Sequence, residues 1–185
     1  MILQCLSGFG VSPLTFTIIA AAFFPGSPVA HAQEDDLGSS QSPEAVVREL
    51  YELVTFPAGE TLDYDGLRGF FLPEAVVVLR TSPASSSVFT LEGFVADWVR
   101  FIDDYDVVET GFAEKVIRTH CTEMGDIAHV WVLYEAEIPG RGRPAQPGVD
   151  SFQLVRREEG WKIASVINEI PTPDRPIPEV LRDPE

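Results

Sequence analysis

Residues 150–168 read Asp-Ser-Phe-Gln-Leu-Val-Arg-Arg-Glu-Glu-Gly-Trp-Lys-Ile-Ala-Ser-Val-Ile-Asn, and this stretch decides the fold. Phe152 and Leu154 alternate with polar residues in the first arm, as in a β-strand with one buried face. Glu158-Glu159-Gly160 supplies a tight turn, after which Trp161 opens a second arm that is rich in β-branched residues. The stretch therefore predicts a β-hairpin.

The chain before the hairpin predicts three helices. Ser42 and Pro43 begin the first, because a capping side chain is followed by a proline that fits the first helical turn. Residues 64–71 and 90–105 predict two more, and Thr90 caps the last of them. The first helix carries a single apolar stripe at helical spacing, formed by Val46, Val47, Leu50, Tyr51 and Val54.

The remaining patterned segments predict β-strands. Residues 75–80 are too short and too β-branched for a helix. Four later strands are predicted at 107–121, 127–138, 149–157 and 161–170. Residues 81–87, rich in Ser and Pro, predict a loop. Helices that come first and antiparallel strands that come last are typical of an α+β fold, with the helices on one face of a curved sheet.

The N-terminal segment has the composition of an export signal. Residues 1–32 contain no Asp, Glu, Lys or Arg, residues 14–24 are apolar, and Ala30-His31-Ala32 fits a cleavage site. We therefore predict a signal peptide at 1–32 and a periplasmic or extracellular protein; the alternative is an uncleaved signal that anchors it to the membrane. Residues 33–41 predict a flexible leader, 42–170 the folded domain, and 171–185 a proline-rich extended tail.

Charge and cysteine content exclude several classes of partner. The chain carries 29 acidic and 13 basic residues, a net charge of −16, which disfavours nucleic acid and anionic membrane surfaces. After signal removal Cys121 is the one remaining cysteine, and His120 beside it does not complete the three or four ligands that zinc needs. We predict no metal site and no cofactor.

Three short segments carry a family resemblance. They are Phe-Leu-Pro-Glu-Ala at 71–75, Gly-Asp-Ile-Ala-His-Val at 125–130 and Gly-Trp-Lys-Ile at 160–163. With the order of elements, they resemble the nuclear transport factor 2-like superfamily over residues 42–169, and within it the SnoaL-like bacterial proteins. The resemblance implies a cone-shaped fold in which three N-terminal helices pack on a curved, mainly antiparallel sheet around a pocket. That superfamily includes both enzymes and non-catalytic domains, so the fold leaves the function open.

Alternation along residues 127–138 separates two faces of one strand. We assign to the pocket side the wholly apolar or aromatic set of Ala128, Val130, Val132, Tyr134 and Ala136. The opposite set includes Trp131 and Leu133, which are too apolar for free solvent. They predict a homodimer through the outer sheet face. The alternative is a partly exposed aromatic without a partner.

Asp150 is the candidate for chemistry, because alternation places it on the same side as Phe152. A buried acid there would have a raised pKa and could take part in proton transfer, and the alternative is a solvated acid at the start of the strand. The segment resembles the one that supplies a protonated aspartate in ketosteroid isomerase, which is a standard example of this effect. The general-base position of that enzyme falls near Leu79, which cannot take a proton, so we do not predict steroid isomerisation.

These residues define the candidate site and three possible functions. The candidate catalytic residues are Asp150 and Tyr134, and the candidate ligand-binding residues are Tyr51, Trp98 and Phe152. The first function is an exported, non-catalytic domain that binds a small hydrophobic ligand or acts as an accessory protein. The alternatives are an acid-base enzyme of the lyase, isomerase or hydrolase type, using Asp150 with Tyr134 or Tyr51, and a dimerisation or assembly domain.

Overall fold

The computed structural model describes residues 42–82 and 85–182. The predictions of a signal peptide at 1–32 and a leader at 33–41 fall outside these residues. Neither of the two described ranges contains a helix that is long and apolar enough to cross a bilayer.

The described residues form four α-helices, and capping side chains begin the first three of them. The Ser42 hydroxyl accepts a hydrogen bond from the Ala45 backbone N–H at 3.1 Å, and the Thr90 hydroxyl accepts one from the Gly93 N–H at 3.2 Å. These caps satisfy N–H groups that have no partner inside a helix. The helices are α1 (Pro43–Val54), α2 (Tyr64–Gly69), α3 (Leu91–Asp104) and α4 (Val107–Thr110).

The strands form one curved sheet of seven strands in the order β1-β4-β5-β6-β7-β2-β3. Every neighbouring pair is antiparallel except β2 and β7, which are parallel. The predicted hairpin is confirmed, since Arg157 pairs with Gly160 across its turn. The strands are β1 (Phe56–Pro57), β2 (Phe71–Ser82), β3 (Ser85–Thr90), β4 (Gly111–Met124), β5 (Ile127–Glu137), β6 (Gln146–Arg157) and β7 (Gly160–Glu169).

Two local predictions are wrong. Part of the predicted loop at 81–87 belongs to strand β3, because Ser86 and Ser87 pair with β2. The hydrogen bonds of this pairing stabilise a strand that the low β-propensity of a serine-rich segment does not predict. The predicted strand at 107–121 begins later, at Gly111, because Val107–Thr110 forms the helical turn α4, which follows Asp106 in the left-handed conformation (φ 46°). The described residues therefore form one more α-helix than the three helices predicted.

The core lies between the helices and the inner face of the sheet. Ala128, Val130 and Val132 are buried there, as the alternation along β5 predicts, whereas His129 and Trp131 between them are only half-buried. The stripe of α1 is buried against the same core. This arrangement confirms the α+β class and aims the inward side chains of β4, β5 and β6 at the helices.

The outer face of the sheet is partly covered by the chain's own tail. The prediction of an extended tail at 171–185 is wrong at Glu179–Leu181, which forms a 3-10 helix that packs against β4 and β5, and Leu181 is only 1% exposed. Val149, which lies opposite Leu133 in register, is also buried and, like Leu181, lies outside the main core. Trp131 and Leu133 remain half-buried on this face. A homodimer through Trp131 and Leu133 stays a prediction. The tail reduces the area of the outer sheet face that a second copy could contact.

Candidate ligand-binding site

A cavity of about 290 Å³ lies between α1, α3 and the inner face of the sheet. Most of its wall is apolar or aromatic, as is usual for sites that hold small molecules. Its lining side chains come from α1, α2 and α3 and from β2, β4, β5, β6 and β7. The polar members are Tyr51, Arg80, Asp97, Glu114, Tyr134, Asp150 and Asn168.

Four of these side chains form one hydrogen-bonded group, which we call the polar cluster: Tyr51, Tyr134, Asp150 and Asn168. The Tyr51 hydroxyl donates to Asp150 Oδ2 at 2.6 Å. The Asn168 amide donates to Asp150 Oδ1 at 3.0 Å and to the Tyr134 hydroxyl oxygen at 2.8 Å. Because Tyr134 accepts the bond from Asn168, its own O–H proton can be donated to a ligand.

Sheet register positions the cluster. Asp150 on β6 lies opposite Asn168 on β7 and opposite Val132 on β5, so its side chain shares the inner face. Tyr51 reaches it from the buried stripe of α1. The Tyr51 and Tyr134 rings pack on each other with centroids 5.4 Å apart, which holds both hydroxyl groups in place.

The two carboxyl groups of the cavity have raised pKa values. Burial raises the pKa of Asp150 to about 6, although hydrogen bonds from Tyr51 and Asn168 oppose this shift by stabilising the charged form. Burial, together with the negative charge of Asp150, raises the pKa of Glu114 to about 8. Both residues keep some accessible surface, because solvent enters the cavity, while protein encloses the carboxyls on the other sides.

Glu114 is the functional candidate that sequence reasoning missed. It lies between Phe112 and Val116 on the inner set of β4, and Ala136 is its neighbour on β5. This alternation was visible in the sequence. It was obscured because a bulge between Val116 and Arg118 reverses the faces further along the strand. Phe112 is buried and Val116 is partly buried against the core, which marks Glu114 between them as inward-facing.

The apolar side of the cavity is an aromatic wall formed by Phe71, Phe94, Trp98, Phe101 and Phe112. Edge-to-face contacts order it: the Trp98 ring lies 5.1 Å from that of Phe112 and 5.5 Å from that of Phe101, measured between centroids. Such contacts fix ring orientations that a ligand can pack against. The wall is therefore preformed.

The structure brings all five candidate site residues together. Tyr51, Tyr134, Asp150, Trp98 and Phe152 line the one cavity, and Leu79 lines it as well. Leu79 offers no proton acceptor to the cavity. The sequence did not identify Asn168, although it lies two residues beyond the inward Val166 on β7, where strand alternation would have placed it.

The fold is shared with solved structures of distant sequence. A nuclear transport factor 2-like protein of unknown function from Pseudomonas putida is 12% identical with a TM-score of 0.56, and covers 76% of this chain and 93% of its own. A nuclear transport factor 2-like protein with a cystatin-like fold from Novosphingobium aromaticivorans gives 13% identity and a TM-score of 0.53, over 70% of this chain and 81% of its own.

A third similar structure, from Novosphingobium aromaticivorans, has the provisional assignment of an aromatic ring hydroxylase. It is 19% identical with a TM-score of 0.52, and covers 72% of this chain and 94% of its own. No protein-family model and no curated protein matched the sequence. At these identities the likeness establishes the fold alone: the chain has the nuclear transport factor 2-like fold, as its sequence predicts.

Proposed function

We propose that this protein binds a small, largely apolar molecule in the cavity and orients it through the polar cluster. The observation that carries the proposal is the combination of a preformed aromatic wall with hydrogen-bonding groups at one site, Tyr134 and Asp150. Specific small-molecule sites combine apolar walls with a few placed polar groups in this way. A volume of about 290 Å³ suits a ligand of about ten non-hydrogen atoms, at about 30 Å³ for each water-sized group.

Filling the cavity is expected to weaken ligand binding without unfolding the protein. Leu79→Trp places an indole at a half-buried position of the cavity wall, where it competes with the ligand for space. Ligand-observed NMR with benzyl alcohol, acetophenone and cyclohexanone should detect binding to the original protein and a loss of about tenfold or more in the variant.

Val88→Trp is the matched control. Val88 lies on β3 of the same sheet but is 70% exposed and outside the cavity, so this variant should bind as the original protein does. Binding that survives in the Leu79 variant, or that is absent for every probe in the original protein, would count against the cavity as a ligand site.

Proton transfer is a second candidate function, supported by the short hydrogen bond between Tyr51 and Asp150 and by the pKa of Asp150 at about 6. A carboxyl with that pKa is mostly ionised at neutral pH yet remains a usable base, which is the range that general acid-base catalysis requires. Asp150 would take a proton from a carbon next to a carbonyl group, and Tyr134 would donate a hydrogen bond to the carbonyl oxygen.

Hydrogen–deuterium exchange tests this second candidate. In D2O the protein is expected to accelerate exchange at the α-carbons of acetophenone or cyclohexanone, with a rate that rises as pH passes about 6 and Asp150 ionises. Asp150→Asn should lower the rate by about 100-fold or more, since the base is lost. Exchange no faster than in buffer, for both ketones, would refute the catalytic role and leave ligand binding standing.

A further inference from the structure

Two carboxyl groups of the cavity, those of Glu114 and Asp150, have no cationic partner among residues 42–82 and 85–182. Four charged side chains line it, namely Arg80, Asp97, Glu114 and Asp150. Arg80 is engaged in an ion pair with Glu169, and Asp97 pairs with Arg100 at 2.9 Å. Among the described residues, the donors to the Asp150 carboxylate are Tyr51 and Asn168, and both are neutral. Within residues 42–82 and 85–182, no side chain donates a hydrogen bond to the Glu114 carboxyl or pairs with it.

An enclosed carboxyl in this position must either stay protonated or acquire a positive partner, because an uncompensated charge in a protein interior is costly. Three titratable groups interact with Glu114: the charge of Asp150 on β6 raises the pKa of Glu114, and the charge of Glu114 raises the pKa of Tyr134 on β5 and of Tyr51 on α1. All three are acids, and none supplies positive charge. A cation brought by the ligand is the component that would complete the site.

The aromatic wall favours the same class of ligand. The ring faces of Phe and Trp attract cations through their π electrons, and this attraction is larger where water is excluded. Trp98, which attracts cations best among these side chains, lies in the middle of the wall and contacts Phe94, Phe101 and Phe112. Conversely, Asp150 and Glu114 would repel an anionic ligand.

We propose that the cavity binds a small arylalkyl amine in its ammonium form, with Glu114 as the counter-ion and the aromatic wall around the apolar part. The assignment rests on the proposed binding function, since it names the ligand class of that same cavity. On β5, Ala136 is the register partner of Glu114 and Val132 is the register partner of Asp150, so Tyr134 lies between the two acids. The two acids therefore lie on one side of the cavity, and the ammonium group is held on that side.

Benzylamine and benzyl alcohol form a matched pair of probes, equal in size and different in charge. By isothermal titration calorimetry at about pH 8, we expect benzylamine to bind the original protein at least about 30-fold more tightly than benzyl alcohol. Glu114→Gln should remove this preference while benzyl alcohol affinity changes by less than about threefold, since the amide keeps the shape of the side chain. Glu137→Gln, an exposed acid on β5, should leave the preference intact.

Proton release gives an independent readout. Glu114, with a pKa of about 8, is largely protonated at about pH 7, so binding the ammonium ion should expel a proton from it. The heat of binding should then depend on the ionisation enthalpy of the buffer. Affinity for benzylamine should rise between about pH 7 and about pH 8.5 in the original protein, and stay flat in the Glu114→Gln variant.

The outcomes separate the two proposals. Equal affinity for the amine and the alcohol, or a preference that persists without the Glu114 carboxyl, overturns the amine assignment and leaves the binding function standing. Absence of binding by both probes overturns the amine assignment, and absence of binding by acetophenone and cyclohexanone as well overturns the binding function. A folded Glu114→Gln variant, verified by circular dichroism, is required for either result.

Discussion

Replacing Gly148 by alanine is expected to lower the free energy of unfolding by about 3 kcal/mol, at the upper end of the usual cost of overpacking. A Cβ atom at this position would lie 2.2 Å from Tyr134 Cζ, 2.3 Å from its hydroxyl oxygen and 2.6 Å from Cε1. Gly148 and Tyr134 are register partners on β6 and β5, so the tyrosine ring lies directly over the glycine. Alanine would force that ring away from Asn168 and disturb the polar cluster.

Denaturant unfolding measures the effect, and a double-mutant cycle isolates its cause. In a Tyr134→Ala background, Gly148→Ala should cost less than about 1 kcal/mol, because the clashing ring is gone. Gly69→Ala is the matched control, since a Cβ there meets nothing within 4 Å. An equal cost in both backgrounds would show that the ring contact is not the reason for the glycine.

Replacing Glu114 by glutamine is expected to stabilise the protein in alkaline solution, by about 3 kcal/mol at about pH 9. The folded protein holds this proton up to about pH 8, whereas the unfolded chain releases it near the ordinary pKa of 4.5. The folded state therefore binds more protons between these values, and stability falls as pH rises through the interval. Asp150 contributes in the same direction between its ordinary pKa of 3.8 and about 6.

The measurement is the free energy of unfolding as a function of pH. At about pH 4 both folded and unfolded states carry a protonated Glu114, so the variant and the original protein should agree within about 0.5 kcal/mol. Glu137→Gln, which removes an exposed acid outside the cavity, should show no such divergence. If the two curves stay parallel up to about pH 9, the Glu114 carboxyl is as well solvated in the folded protein as in the unfolded one.

The alternation of side chains along the predicted strands indicated which of them face the cavity, and local sequence pattern contains no more information about the site than this. Alternation placed Asp150 beside Phe152, and Tyr134 beside Val132, on the inner face, and the structure agrees. The hydrogen bond between Tyr51 and Asp150 joins a helix to a strand 99 residues away, and nothing in either segment alone encodes that contact. The approach of helix to sheet is determined by the packing of the whole core.

The sequence interpretation failed where a neighbour or an irregularity overrides the pattern. Ser86 and Ser87 read as loop and form a strand, because β2 supplies the partner. The inward position of Glu114 was not recognised from the sequence, because the bulge that follows Val116 interrupts the alternation along β4. Local propensity cannot predict the strand at Ser86 and Ser87 or the bulge in β4, since both depend on which strand lies alongside.

The parallel pairing of β2 with β7 has a consequence for biosynthesis. Val77 on β2 is the register partner of Val166 on β7, so β2 cannot complete its pairing until β7 has left the ribosome. Until then β2, which supplies Leu79 and Arg80 to the cavity wall, is paired with β3 alone. The edge of β6 is also unpaired and can pair with a wrong strand. The cavity therefore cannot close before β7, which supplies Val166 and Asn168 to its wall, has been synthesised and has paired with β2.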